Sequence, residues 1–195
     1  SFWQKDSAIS QIQNYNSHLP SVMDFALSDV LMSVFNDDDD SWGRGMIKVY
    51  DNFANDFLYP NVFNLLVFAE NHDSKRLNHV YINDIRKYKM AMRILATVRG
   101  IPQLYYGSEI GMTGDQNLGD AHIRQDFPGG WEGDKNNAFT KEGRTDLQNE
   151  YFDFTSKLFL WRKNKSVIHS GKMTHYIPEY NVYVYFRYDE KETVM

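Results

Sequence analysis

Apolar and polar positions along the chain alternate between two periods. Residues 65–69 (LLVFA) form an unbroken apolar run that stops at Glu70, Asn71, His72 and Asp73. A short run of this kind predicts a strand of a parallel sheet, buried on both faces. Residues 19–25 predict a shorter strand ending near Asp24, and residues 103–107 another, leading into Ser108-Glu109-Ile110-Gly111. Between them lie stretches with helical spacing. Residues 27–35 carry Leu27, Val30, Leu31 and Val34, with Ser28 and Asp29 as caps. Residues 45–58 carry Ile47, Tyr50, Phe53, Ala54 and Phe57 on one side. Residues 84–99 carry Tyr88, Ala91, Met92, Leu95 and Ala96, with Gly100 placed to end the helix. Three strand-then-helix units in order predict βαβ connections and a parallel sheet.

The pattern then changes. Residues 113–149 are rich in Gly, Asp and Asn with little periodicity, as in a long functional loop. Residues 151–163 predict a last helix on Phe154, Leu158 and Trp161. Beyond Gly171, Tyr176, Val182, Val184 and Phe186 alternate with Tyr183, Tyr185 and Arg187, which predicts antiparallel strands and a boundary near residue 168. Residues 1–18 are polar and irregular and predict a short helix running into a loop. The four aspartates Asp37, Asp38, Asp39 and Asp40 predict a solvated surface loop, without the spacing of an EF-hand.

Composition narrows the function classes. A net charge of −5 argues against nucleic acid, and the absence of cysteine excludes disulfides, thiolate metal sites and cysteine nucleophiles. No stretch is long and apolar enough to span a bilayer. Aromatic residues reach 15%, which suits sugar binding as well as an aromatic core. The first residue is not Met, no signal-peptide pattern follows it, and the last residues read as the start of a strand; both ends predict a fragment.

Two strand ends carry a family resemblance. Residues 68–73 (FAENHD) resemble the end of the seventh barrel strand in the α-amylase family of glycoside hydrolases, and residues 99–111 (RGIPQLYYGSEIG) resemble its eighth. Residues 124–131 (RQDFPGGW) are similar to the loop after that strand in neopullulanase- and cyclomaltodextrinase-like members, and residues 19–25 look like the sixth strand. The resemblance implies an α/β fold: a partial (β/α)8 TIM barrel, strands six to eight, over residues 1–168. The first antiparallel strands of a C-terminal β-sandwich domain would follow over residues 169–195. A complete barrel takes about 250 residues, so strands one to five would lie upstream.

The family cleaves α-glucosidic bonds with retention, using a carboxylate nucleophile and a carboxylic acid. Asp73 matches its third carboxylate, which stabilises the oxocarbenium-like transition state. His72 matches the residue that hydrogen-bonds the sugar beside the cleaved bond. Asn71 would orient the strand end, and Arg76 would pair with a nearby carboxylate. Further substrate-binding candidates are Tyr106, Glu109, Arg124 and Trp131, with His122 and Phe127 behind them; Glu109, ending strand eight, could be read as a substitute acid, but a structural or outer-subsite role is favoured, and Phe127 and Trp131 read equally as loop packing. The family's Gly-x-Arg-x-Asp nucleophile stretch is missing, and no glutamate precedes Glu70. The fragment alone is therefore expected to be inactive. No metal-ligand spacing occurs, so no cofactor is expected here; calcium sites of the family would fall in the full-length protein. The expected partner is an α-glucan oligosaccharide, drawn from starch-derived oligosaccharides, cyclodextrins or pullulan, with no nucleic acid and no membrane. The fragment is expected to self-associate through open barrel edges. A transglycosylase of the same barrel and a non-catalytic amylase-like protein are the alternatives.

Overall fold

The structure, a computed structural model, describes residues 19–39 and 41–195; the helix expected over residues 1–18 and Asp40 lie outside the described residues. The parallel core is small and tightly ordered. Strand β1 (Leu66–Phe68) pairs in parallel with β2 (Ile101–Gln103), with Leu66 opposite Ile101 and Phe68 opposite Gln103. On the other side of β1, Met23 makes a parallel bridge to Leu66, flanked by bonds from Asp24 N to Leu66 O (2.9 Å) and from Leu66 N to Val22 O (2.9 Å).

The expected strand over 19–25 is thus reduced to a bridge, because helix α1 (Phe25–Leu31) begins at once. Its cap is Asp24, whose carboxylate accepts from Leu27 N (3.0 Å), and not Ser28 or Asp29. Ser28 instead lies in the helix and donates to Ala69 O (3.1 Å), fastening α1 to the end of β1.

Helix α2 (Ile47–Ala54) is shorter than the sequence pattern suggests and buries Val49 and Phe53; Phe57 belongs to a following 3-10 turn and is exposed. A short helix α3 (Leu77–Val80) precedes α4 (Ile85–Thr97). The N-cap of α4 is Asp84, and its buried stripe is the expected one, Tyr88, Ala91, Met92, Leu95 and Ala96, with Ile94 added. Met92 and Leu95, the large aliphatic side chains of that stripe with almost no exposed surface, contribute roughly 1.5–3 kcal/mol each.

Gly100 ends this unit for a steric reason. Its φ is +90°, and a Cβ there would lie 2.6 Å from Leu65 O. That close approach lets Ile101 N donate to Leu65 O (2.8 Å) and opens the parallel ladder, so β2 starts two residues before the expected run. Arg162 then covers the turn, donating to Ala96 O (2.7 Å), Val98 O (3.2 Å) and Gly100 O (2.8 Å).

After a long segment holding the short helix α5 (Asp120–Ile123), α6 (Asp146–Lys163) starts five residues earlier than its apolar spacing implies. A reciprocal capping box between Thr145 and Gln148 sets that start. Helix α7 (Ser166–Ser170) leads into an antiparallel sheet of β3 (Lys172–His175), β4 (Tyr185–Tyr188) and β5 (Thr193–Val194), in the order β3-β4-β5. The inward face of β4 includes Arg187, which is buried and donates to Ile168 O (3.0 Å) and Gly171 O (2.7 Å). Its burial lowers its pKa to about 10.

Candidate active site

The chain leaves β1 buried and surfaces within four residues. Ala69, Glu70 and Asn71 are buried, while the side chains of His72 and Asp73 are each 59% exposed. Asn71 makes the turn: its Oδ1 accepts from Asp73 N (2.9 Å), and its own N–H donates to Ser74 Oγ (2.9 Å). The turn sets His72 and Asp73 side by side, with His72 Nε2 3.2 Å from Asp73 Oδ2.

Beneath the turn lies a polar floor. The Glu70 carboxylate accepts from Leu77 N and Ser108 Oγ and lies 3.4 Å from Arg76 Nη1. Arg76 has no exposed surface; it donates to Tyr106 O (2.5 Å), and its guanidinium lies 3.9 Å from the Tyr105 ring centroid and 4.8 Å from that of Tyr106. These contacts tie the segment after β1 to the segment after β2. Burial pushes the Glu70 carboxyl upward, against the pull of Ser108, the Leu77 N–H and Arg76. Arg76 is therefore paired with a carboxylate as expected, but it stands beneath the exposed residues and cannot touch a molecule bound over them.

One side chain from the long loop closes over the turn. Arg124, at the end of α5, donates from Nε to His72 O (2.9 Å) and from Nη2 to Asp73 Oδ1 (3.0 Å). The same Nη2 lies 2.9 Å from Asp120 Oδ2, one helical turn back. Gln116 donates to Asp73 O. The loop thus fixes both the backbone and the carboxylate of the turn.

The remaining predicted residues are less concentrated. Tyr106 is half-exposed, and its hydroxyl donates to Gln125 O (2.7 Å). Glu109 occupies the 3-10 turn 108–110, which Gly107 (φ +82°) introduces. Trp131 is exposed, with its N–H held by Asp134 Oδ2 (3.2 Å), and Phe127 packs on Phe139 at 4.6 Å between centroids. His122 is exposed near Arg124, and its carbonyl accepts from Gln125 (2.8 Å). Among the described residues, neither Glu109 nor Trp131 hydrogen-bonds Asp73.

Three contributors, Glu70, Gln116 and Asp120, escape the sequence reading. Glu70 is read there only as part of the polar end of β1, and Gln116 gives no signal. Asp120 does carry one, an acidic residue four places before the basic Arg124. The other early strand end is closed: Asp24 is buried against Arg99, whose Nη1 donates to it (2.5 Å) while Nε and Nη2 donate to Asp56 (3.0 and 2.6 Å). Burial alone would lower the pKa of Arg99, yet the two carboxylates raise it, so it stays charged. No group of three or more His, Cys, Asp or Glu able to hold a metal occurs among the described residues, and no helix there is long and apolar enough to cross a membrane.

Parallel strands covered by helices, with an exposed carboxylate–imidazole pair just beyond the C-terminal end of one strand, define an α/β protein of the kind that places its chemistry at strand ends. The model of the α-amylase catalytic domain matches residues 2–190, and the chain belongs to that family. It is 29% identical over 175 residues to a cyclomaltodextrin glucanotransferase of Geobacillus stearothermophilus, covering 90% of this chain and 22% of the relative. It is 29% identical over 180 residues to a cyclomaltodextrinase of Geobacillus thermopakistaniensis, covering 90% and 27%. Among solved structures, the acarbose complex of the Geobacillus thermoleovorans α-amylase superposes with a TM-score of 0.68 at 26% identity, over 89% of this chain and 35% of that one. The chain thus spans about a quarter of the length of these curated relatives.

Proposed function

We propose that the chain is part of a retaining α-glucan hydrolase and supplies one wall of its active site. The observation that carries this reading is the exposed His72–Asp73 pair at the end of β1, at 3.2 Å, on a buried polar floor. In this reading β1 and β2 are barrel strands seven and eight, the bridge at Met23 marks strand six, and the antiparallel sheet opens a β-sandwich domain after residue 168. A fixed carboxylate such as Asp73 gains attraction as positive charge develops on the sugar ring, so it favours the transition state over the ground state. His72 donates to a sugar hydroxyl without bringing a second full negative charge. Asn71 orients the pair. Tyr106, Arg124, Trp131 and Glu109 contact more distant sugar units, and Arg76 supports the site from below.

The chain has no Gly-x-Arg-x-Asp stretch and no glutamate before Glu70, so the nucleophile and the acid would come from elsewhere in the full-length protein. The substrates would be starch-derived oligosaccharides, cyclodextrins or pullulan. Incubation of the full-length protein with maltoheptaose, β-cyclodextrin and pullulan, followed by product chromatography, tests this reading. Linear products from any of them support it; three unchanged substrates overturn it. The match to cyclomaltodextrin glucanotransferases supports a second reading, glycosyl transfer to a sugar acceptor. Cyclic or lengthened products from maltoheptaose would favour transfer over hydrolysis.

A further inference from the structure

The connection between β3 and β4 is a hairpin with a rigid tip. Beyond the His175–Tyr185 pair, Tyr176 N donates to Val184 O (3.0 Å), and Glu179 and Val182 exchange backbone bonds of 3.2 and 2.9 Å. Tyr180 (φ 51°) and Asn181 (φ 59°) form the two-residue turn, both in the left-handed region that suits the twist of a hairpin. Asn181 Oδ1 accepts from Met46 N (2.8 Å), just before α2, and so pins the tip to another part of the fold.

The pinned hairpin and α2 border an open groove of about 820 Å³. Its walls include Tyr50, His175, Tyr176, Glu179, Tyr180 and Val182. The inner wall carries a tilted ring pair, Tyr50 and His175, 4.9 Å apart between centroids, and His175 Nδ1 is held 2.8 Å from the Tyr183 hydroxyl behind it. On the outer wall Tyr180 is 89% exposed and Tyr176 57% exposed. None of these residues belongs to the Asp73 cluster.

We propose that this groove is a second binding site for an α-glucan, separate from the site at Asp73; the choice of ligand rests on the function proposed above. Tyrosine faces present flat apolar surface to the C–H side of a sugar ring while their hydroxyls reach its O–H groups. Glu179 accepts hydrogen bonds from sugar hydroxyls, and its negative charge disfavours an anionic ligand. Burial lowers the pKa of His175, so the ring is neutral near pH 7; with Nδ1 engaged by the Tyr183 hydroxyl, Nε2 is left to meet a sugar hydroxyl without adding charge. A hairpin held by Asn181 orders these rings before any ligand arrives, which reduces the entropy lost on binding.

The test uses the full-length protein, with soluble starch in a native gel and maltotriose as a short substrate. The double variant Tyr176→Ala, Tyr180→Ala is expected to lose about tenfold in starch retardation, two stacking contacts' worth. Its kcat and KM on maltotriose should not change. Retardation equal to that of the parent protein overturns the groove. A parent protein that cleaves maltotriose but is not retarded also overturns the groove, and leaves the Asp73 reading standing. A parent protein that is retarded through the tyrosines but cleaves no α-glucan sinks the hydrolase and keeps the groove. Should the double variant fail to fold, nitration of the parent protein by tetranitromethane replaces it. Maltoheptaose is expected to slow nitration of Tyr176 and Tyr180. Unslowed nitration, or no nitration of either residue in the absence of sugar, overturns the proposal.

Discussion

Arg124 Nη2 sits 3.0 Å from Asp73 Oδ1 and 2.9 Å from Asp120 Oδ2, so one guanidinium group joins the exposed carboxylate to the loop that overhangs it. Its Nε holds the carbonyl of His72 at the same time. A lysine has a single nitrogen and cannot reproduce this fork. If the full-length protein has the proposed hydrolase activity, Arg124→Ala should lower its kcat on maltoheptaose on the order of 10²-fold, because a small displacement of a positioned group is enough for that loss. Arg124→Lys should recover only part of it. If Arg124 contacts only the sugar, KM rises and kcat holds, which steady-state kinetics would reveal.

The Asp24–Arg99–Asp56 cluster makes a prediction about stability. Arg99 and Asp24 are both buried, and Arg99 also spans to Asp56. Arg99→Ala leaves a buried carboxylate without its partner and should cost about 3–5 kcal/mol in urea unfolding. A loss below about 1 kcal/mol would mean that the cluster is solvated in the protein.

His175 sets a pH dependence. Burial lowers its pKa below the unfolded value of 6.5, so the unfolded chain binds the proton more readily. Its contribution is fully present above pH 6.5 and is lost as pH falls through that value toward the folded pKa. The urea midpoint should therefore fall between pH 7.5 and pH 5.5. In His175→Gln the fall over that window should be reduced, while the acid loss from carboxylates persists at lower pH. Matching pH profiles for the two proteins would contradict this account.

The position of β2 predicts association. Among the described residues β2 pairs only with β1 and so forms an edge of its sheet, where Ile101 and Leu104 are exposed. The 195-residue chain expressed by itself should form dimers or larger species in light scattering, and a monomer at high concentration would count against open barrel edges.

The legible parts of this fold are those where one physical signal dominates. The run at 65–69 is apolar without interruption, and β1 lies inside it. The stripe of α4 repeats cleanly, and Tyr88, Ala91, Met92 and Leu95 are all buried. Where two signals compete, the sequence misleads. Phe57 continues the period of α2 but falls beyond the helix, and β2 is placed by the backbone approach at Gly100 rather than by the apolar run after it. Thr145 and Gln148 carried a readable capping box that apolar spacing alone passes over. Arg162 and Arg187 are buried for the carbonyls they cover, which no hydrophobic pattern reports.

The site divides in the same way. His72 and Asp73 stand out because titratable residues follow an apolar strand directly. Arg76 stands out too, but its burial against Tyr105 depends on a segment nearly thirty residues away. The hold of Arg124 on Asp73 crosses a longer separation and a segment with little periodicity, so only the tertiary structure reveals it.

The central claim is that Asp73 acts on the transition state of α-glucan cleavage. The most direct measurement is the kcat of Asp73→Asn in the full-length protein on maltoheptaose, with folding checked by circular dichroism. The account predicts a fall of at least about 10²-fold, since the substitution removes the charge while keeping the shape of the side chain. A folded variant with the kcat of the parent enzyme would contradict it.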